Sequence, residues 1–188
     1  MNTTTLVIAI VVIAIVLVAV ALFAVRNNQR RRLRERFGPE YERTVADEGD
    51  PKRAERVLEE RVKRRKELEI RDLAPEARTR YAESWRTIQT QFVDDPRGAV
   101  GAADKLVAQV MRDRGYPTEG FDQQAADVSV DHAGVVSNYR SAHDISVADS
   151  EGRASTDDLR QAMVHYRTLF HDLLGEPAVE TSRPEEVK

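Results

Sequence analysis

The sequence predicts an all-α protein: a transmembrane helix at the N-terminus, a charged stalk helix and a bundle of about five helices. Three observations carry this. Leu6–Val25 is twenty consecutive apolar residues with no polar residue, Gly or Pro. Apolar residues beyond it recur at helical spacing between Pro and Gly stops. No stretch after residue 25 sustains the period-2 alternation of a strand.

The 188 residues include no Cys, and 41% are apolar. These values exclude a polytopic transporter, a disulfide-stapled secreted module and a thiol enzyme. The net charge of −3 conceals a strong polarity. Residues 26–36 sum to +5, 37–51 to −4, 52–72 to +3 and 73–188 to −7, so a basic neck carries an acidic head.

Residues 1–5 are a short extracytoplasmic N-terminus in this reading, and 6–25 the span. Twenty helical residues cover roughly 30 Å, the thickness of a bilayer core. A cleaved signal peptide fits less well, because Met1–Thr5 carries no Lys or Arg and the apolar run is too long. The Arg-rich juxtamembrane segment, 26–36, holds Arg26, Arg30, Arg31, Arg32, Arg34 and Arg36, with none before the span. The positive-inside bias then places the C-terminal body in the cytoplasm. The same six arginines are candidate lipid-headgroup residues, worth roughly 1 kcal/mol each near an anionic surface. Nucleic acid is set aside as a partner because the basic segment adjoins the membrane.

Residues 37–74 form the charged helical stalk. Gly38-Pro39 opens a short helix over about 39–48. Asp50-Pro51 starts another, predicted to run to Asp72, in which 15 of residues 52–72 are charged. Glu59→Lys63, Glu60→Arg64 and Glu67→Arg71 have the favourable i,i+4 order. Its apolar seam is narrow, so it reads as a solvated stalk or one arm of a helical hairpin, less as a dimeric coiled coil. Lys63-Arg64-Arg65-Lys66 reads as a solvated face before it reads as an acidic-partner or lipid site.

The bundle domain spans 75–175. Pro75 opens a helix with Ala77, Tyr81, Trp85, Ile88 and Phe92 on one face. Asp95-Pro96 opens the next, striped by Ala99, Ala103, Leu106, Val107, Val110 and Met111 and closed by Gly115. Helices follow at about 119–130 and 132–148. The last starts at a capping box, Ser155 with Asp158, and ends at Gly175. Residues 176–188, rich in Glu and Pro, read as a disordered tail.

Candidate chemistry is sparse. His132 and His143 are placed on the apolar side of one helix, His143 packed near Tyr139 and the other histidines partly exposed. His165 and His171 lie six apart on the last helix and cannot ligate one ion. Asp131-His132, His143-Asp144 and His171-Asp172 are sequence neighbours, which do not face one site on a helix. Gly98 and Gly101 lack a preceding strand, so they read as close-packing positions rather than a phosphate cradle. Trp85 and the tyrosines read as core. No catalytic constellation, metal site or cofactor is predicted.

The phrases Leu33-Arg-Glu-Arg-Phe-Gly-Pro-Glu-Tyr41, Arg114-Gly-Tyr-Pro117, Ala126-Asp-Val-Ser-Val-Asp-His132, Tyr139-Arg-Ser-Ala-His143 and Leu159-Arg-Gln-Ala-Met-Val-His-Tyr166 resemble an uncharacterised family of small single-pass bacterial membrane proteins with a helical cytoplasmic domain. The resemblance implies a bacterial inner-membrane setting and brings no catalytic residue, cofactor or partner. The expectation is a membrane-anchored, non-catalytic interaction or scaffold protein whose head meets another protein. The alternatives are a small-ligand or lipid binding module, or an enzyme with a His/Asp site assembled from separate helices.

Overall fold

A computed structural model describes residues 3–175, with side chains described for 12–175 except positions 14, 15 and 22. The expected extracytoplasmic N-terminus at its first two residues and the expected tail, 176–188, lie outside the described residues. Within them the protein is all-helical, with eight helices and no strand. The chain divides into two compact units, Met1–Glu59 and Glu60–Lys188.

The first unit contains α1 (Thr3–Phe37), α2 (Pro39–Glu48) and the opening turns of α3 (Pro51–Glu67). α1 runs unbroken from the apolar stretch through the arginines and stops where Gly38 turns to φ +48° ahead of Pro39. α2 begins with that Pro in its first turn and ends on Gly49 in the left-handed region. Asp50 then caps α3, its carboxylate accepting the Lys52 and Arg53 N–H groups at 3.3 Å each. Leu33, Phe37, Tyr41, Ala54 and Leu58 are buried.

Eleven of the twenty residues in Leu6–Val25 have described side chains. Among the described residues no helix is long and apolar enough to cross a membrane, so the expected span is not shown. The large apolar side chains that are described there, from Val12 to Val25, are 53–73% exposed.

The second unit holds the five expected helices: α4 (Pro75–Gln91), α5 (Pro96–Asp113), α6 (Phe121–Val128), α7 (Val136–Ser150) and α8 (Thr156–Leu174). α8 packs against both α5 and α7, α4 covers α5, and α6 lies on α7. The stripes of α5 and α8 are buried along their length, and Trp85 of α4 stacks on Phe170 of α8 at 4.8 Å. The Ser155–Asp158 capping box is present in both directions, and Gly175 closes α8 in the left-handed region.

Three local expectations change. α3 stops at Glu67 rather than Asp72. Residues 68–74 form a non-helical strap whose Arg71 N–H donates to the Arg114 carbonyl at 2.9 Å and whose Leu73 is buried in the core. Tertiary burial of Ile70 and Leu73 outweighs the few tenths of a kcal/mol from the Glu67→Arg71 helical pair. Gly115, at φ +94°, lets the strap pass, since a Cβ there would lie 2.4 Å from the Glu69 carbonyl oxygen.

The second change concerns His132, which sits in the turn joining α6 to α7 and not on a helix face. Its N–H bonds back to the Val128 carbonyl, and its own carbonyl accepts from Val136. The third concerns the glycines of α5. Gly98 makes room for the capping carboxylate of Asp95, which a Cβ would meet at 1.9 Å, and Gly101 faces open space. Neither supports helix–helix contact.

Candidate functional site

The six neck arginines occupy the last three turns of α1, but they are not equivalent. Arg30 Nε lies 2.8 Å from Glu55 and donates to the Tyr41 hydroxyl at 3.3 Å; that hydroxyl donates in turn to Glu55 at 3.2 Å. The Tyr41 hydroxyl, and then Glu55, raises the Arg30 pKa further. Arg34 lies over the Tyr41 ring at 5.0 Å and pairs loosely with Glu42 at 3.6 Å. Arg31 makes an exposed i,i+4 pair with Glu35 at 2.8 Å. Exposed pairs of that kind contribute a few tenths of a kcal/mol and yield readily to another anion. Arg36 is exposed. Arg26 and Arg32 are exposed and make no ion pair with a described residue.

Beside this cluster lies a hollow of about 790 Å³ within the first unit. One wall comes from α1, with Phe23, Val25, Arg26, Gln29, Arg30 and Leu33. The other comes from Asp50 and the start of α3, with Lys52, Glu55, Arg56 and Glu59. It is apolar at the end nearer the hydrophobic run of α1 and basic beyond it.

The second unit holds a denser polar network. Asp127 is fully buried and accepts from Arg64 Nε at 2.9 and 3.2 Å and from Gln123 at 3.0 Å. Arg65 pairs with Asp131, which also accepts from the Tyr116 hydroxyl at 2.9 Å. Burial pushes the Tyr116 pKa up, and Asp131 adds to it. Arg61 reaches the Ser129 hydroxyl at 3.3 Å. The residues expected to form a solvated face therefore include two arginines committed to carboxylates more than sixty positions away.

His132 and Asp172 meet through Nδ1, and Arg114 Nη1 lies 3.3 Å from His132 Nε2. A guanidinium only donates, so Nε2 accepts and Nδ1 carries the proton given to Asp172. Arg114 also donates to the Leu173 carbonyl at 2.9 Å, tying the end of α5 to the end of α8. The His132 side chain is 10% exposed, at the low end of the partial exposure expected for it. Both ring nitrogens of His132 are thus engaged within the fold, and the contacts join the turn before α7 to the ends of α5 and α8.

The other histidines are packed separately. His143 stacks on Phe121 at 3.5 Å, and Phe121 lies 4.9 Å from Tyr139. His165 Nδ1 bonds to Asn138 Oδ1 at 2.8 Å, and partial burial holds its pKa below the ordinary value. In the core, the Tyr166 hydroxyl donates to Asp104 and that of Tyr139 to Gln124, both at 2.8 Å. Burial first, then Asp104, raises both tyrosine pKa values. Among the described residues no group of three or more His, Asp or Glu side chains is arranged to hold a metal ion. A shallow groove of about 170 Å³ between α4 and α8 is lined by Gln89, Phe92, Arg160, Met163, Val164 and Arg167.

No protein-family model, curated protein or solved structure matches this chain. The family resemblance and the bacterial setting it implied therefore gain no support from known proteins. The phrases that carried it do hold most of the network: Arg114 and Tyr116 in one, Asp127, Ser129, Asp131 and His132 in another. The sequence reading paired histidines only with their immediate neighbours and so missed His132 with Asp172, forty residues apart.

Proposed function

We propose that the protein is a membrane-anchored, non-catalytic helical interaction protein. α1 serves as its single span, the neck arginines face anionic headgroups on the cytoplasmic side, and the bundle meets a protein partner. One observation carries this reading. The described apolar side chains from Val12 to Val25 are exposed all round the helix, and the same unbroken helix continues into the arginines. In water such a surface stays uncovered at roughly 25 cal/mol per Å², whereas in lipid it is solvated.

The engaged nitrogens of His132 favour a binding role over catalysis by the His/Asp pair. On the bundle, Phe92, Met163 and Val164 offer a small apolar patch rimmed by Arg160 and Arg167, suited to an apolar segment with acidic flanks. The basic and apolar hollow in the first unit favours a second reading, lipid binding, alongside the first.

The test is topology. A reporter active only in the periplasm, fused to the C-terminus, is expected to stay silent, and the full chain is expected to resist alkaline extraction from membranes. Strong reporter activity refutes the orientation; extraction into the supernatant refutes the anchor.

A further inference from the structure

We propose that the hollow in the first unit binds one anionic phospholipid, with Arg26, Lys52 and Arg56 around the phosphate and Phe23 and Val25 along the start of the acyl chains. This rests on α1 being a membrane anchor and assigns the lipid chemistry at its neck. The volume, about 790 Å³, falls in the range of ordinary ligand sites. Its chemical order matches a lipid: exposed Phe23 and Val25 come first along α1, and Arg26 follows at the end of the apolar run.

The charge balance selects the ligand. Among the cations lining the hollow, Arg30 is taken by Glu55, while Arg26, Lys52 and Arg56 make no ion pair with a described residue. Lys52 and Arg56 stand one turn apart on α3, so they share a face. Among the acids, Glu55 is held by Arg30 and Tyr41, and Asp50 is occupied by backbone N–H groups. The lining holds four cations against three acids, a net charge of +1 that one phosphodiester anion balances. A dissolved phosphate would leave the apolar wall wet, which a lipid does not. Basic pockets beside membrane helices recognise such headgroups by the same logic. Arg31 and Arg34 stand outside the site, on Glu35 and Glu42.

The experiment places the full chain in phosphatidylcholine bilayers with spin-labelled phosphatidylglycerol or spin-labelled phosphatidylcholine, and reads the motionally restricted fraction of each. Wild type is expected to select phosphatidylglycerol about five- to thirtyfold, the equivalent of one or two contacts at roughly 1 kcal/mol. Lys52→Gln with Arg56→Gln is expected to lower the preference at least about threefold, Lys52→Arg with Arg56→Lys to keep it, and Arg43→Gln, an exposed arginine paired with Asp47 away from the hollow, to keep it. Equal restriction of the two lipids by wild type, an undiminished preference in the Lys52→Gln, Arg56→Gln chain, or an equal loss in Arg43→Gln overturns the site. Competition by millimolar glycerol phosphate would assign it to a soluble phosphate and overturns it too. Flotation with pure phosphatidylcholine vesicles separates the two readings. A chain that does not float loses both anchor and site; one that floats without selectivity loses the site alone.

Discussion

Two arginine clusters look alike in the sequence and differ in what holds them. Arg30, Arg31 and Arg34 of α1 find their acids within twenty-five residues, on exposed or half-exposed surface. Arg64 and Arg65 of α3 find theirs 63 and 66 residues away, and one of those acids is fully buried. The first arrangement holds Arg30 on Glu55 but leaves Arg31 and Arg34 available to an outside anion. The second uses them as structural counterions, because a buried carboxylate without its cation is the costlier state.

The sharpest way to break this contrast is to cut the chain. A fragment of residues 75–188 lacks Arg64, Arg65, Ile70 and Leu73, whereas 60–188 retains them. Loss of the Leu73 and Ile70 burial and of the ion pairs is expected to cost about 4 kcal/mol or more in urea unfolding. Equal midpoints would make α3 and the strap ornamental. Next comes Gly115→Ala, expected to cost about 3 kcal/mol, because positive φ and the Glu69 carbonyl both oppose a Cβ. A smaller loss would show that the strap shifts freely.

Arg64→Met leaves Asp127 buried with Gln123 as partner. About 2 kcal/mol is expected, below the usual 3–5 for a broken buried pair because Arg64 is itself half-exposed and water reaches the gap. Asp127→Asn keeps the shape, releases Arg64 to solvent and should cost about 1 kcal/mol. Reversal of that order would mean that the cation, not the buried acid, is the constrained partner.

His165 gives the pH dependence of the second unit a definite sign. Burial holds its folded pKa below 6.5, so the unfolded chain binds the extra proton first. Its stability contribution is complete above about pH 6.5 and is lost as pH falls from there toward the folded pKa. His165→Gln is expected to flatten that part of the stability–pH curve. The smallest effect is Arg31→Gln in the neck, under about 0.5 kcal/mol on stability. A large effect there would erase the distinction between the clusters.

Much of the fold is legible because its signals are local. Pro39, Pro51, Pro75 and Pro96 start helices where the sequence places them, and the Ser155–Asp158 box and Gly175 bracket α8. The strap is not legible, since Glu67–Asp72 has good helical charge spacing and yields only to burial of Ile70 and Leu73. The polar network is hidden for the same reason. Arg64 with Asp127 and His132 with Asp172 are pairings across the fold, and nothing in the local pattern of either partner names the other. Asp127 reads as one more surface acid until α3 covers it.

The long separation between Arg64 and Asp127 also sets a clock. A ribosome adds about 5–20 residues per second, so the carboxylate follows its guanidinium by roughly 3–13 s. Throughout that interval Lys63–Lys66 has only the neighbouring glutamates Glu59, Glu60 and Glu67 as counterions. The ion pair that buries Asp127 is therefore among the last contacts of α3 to form during synthesis, after α6 has been made.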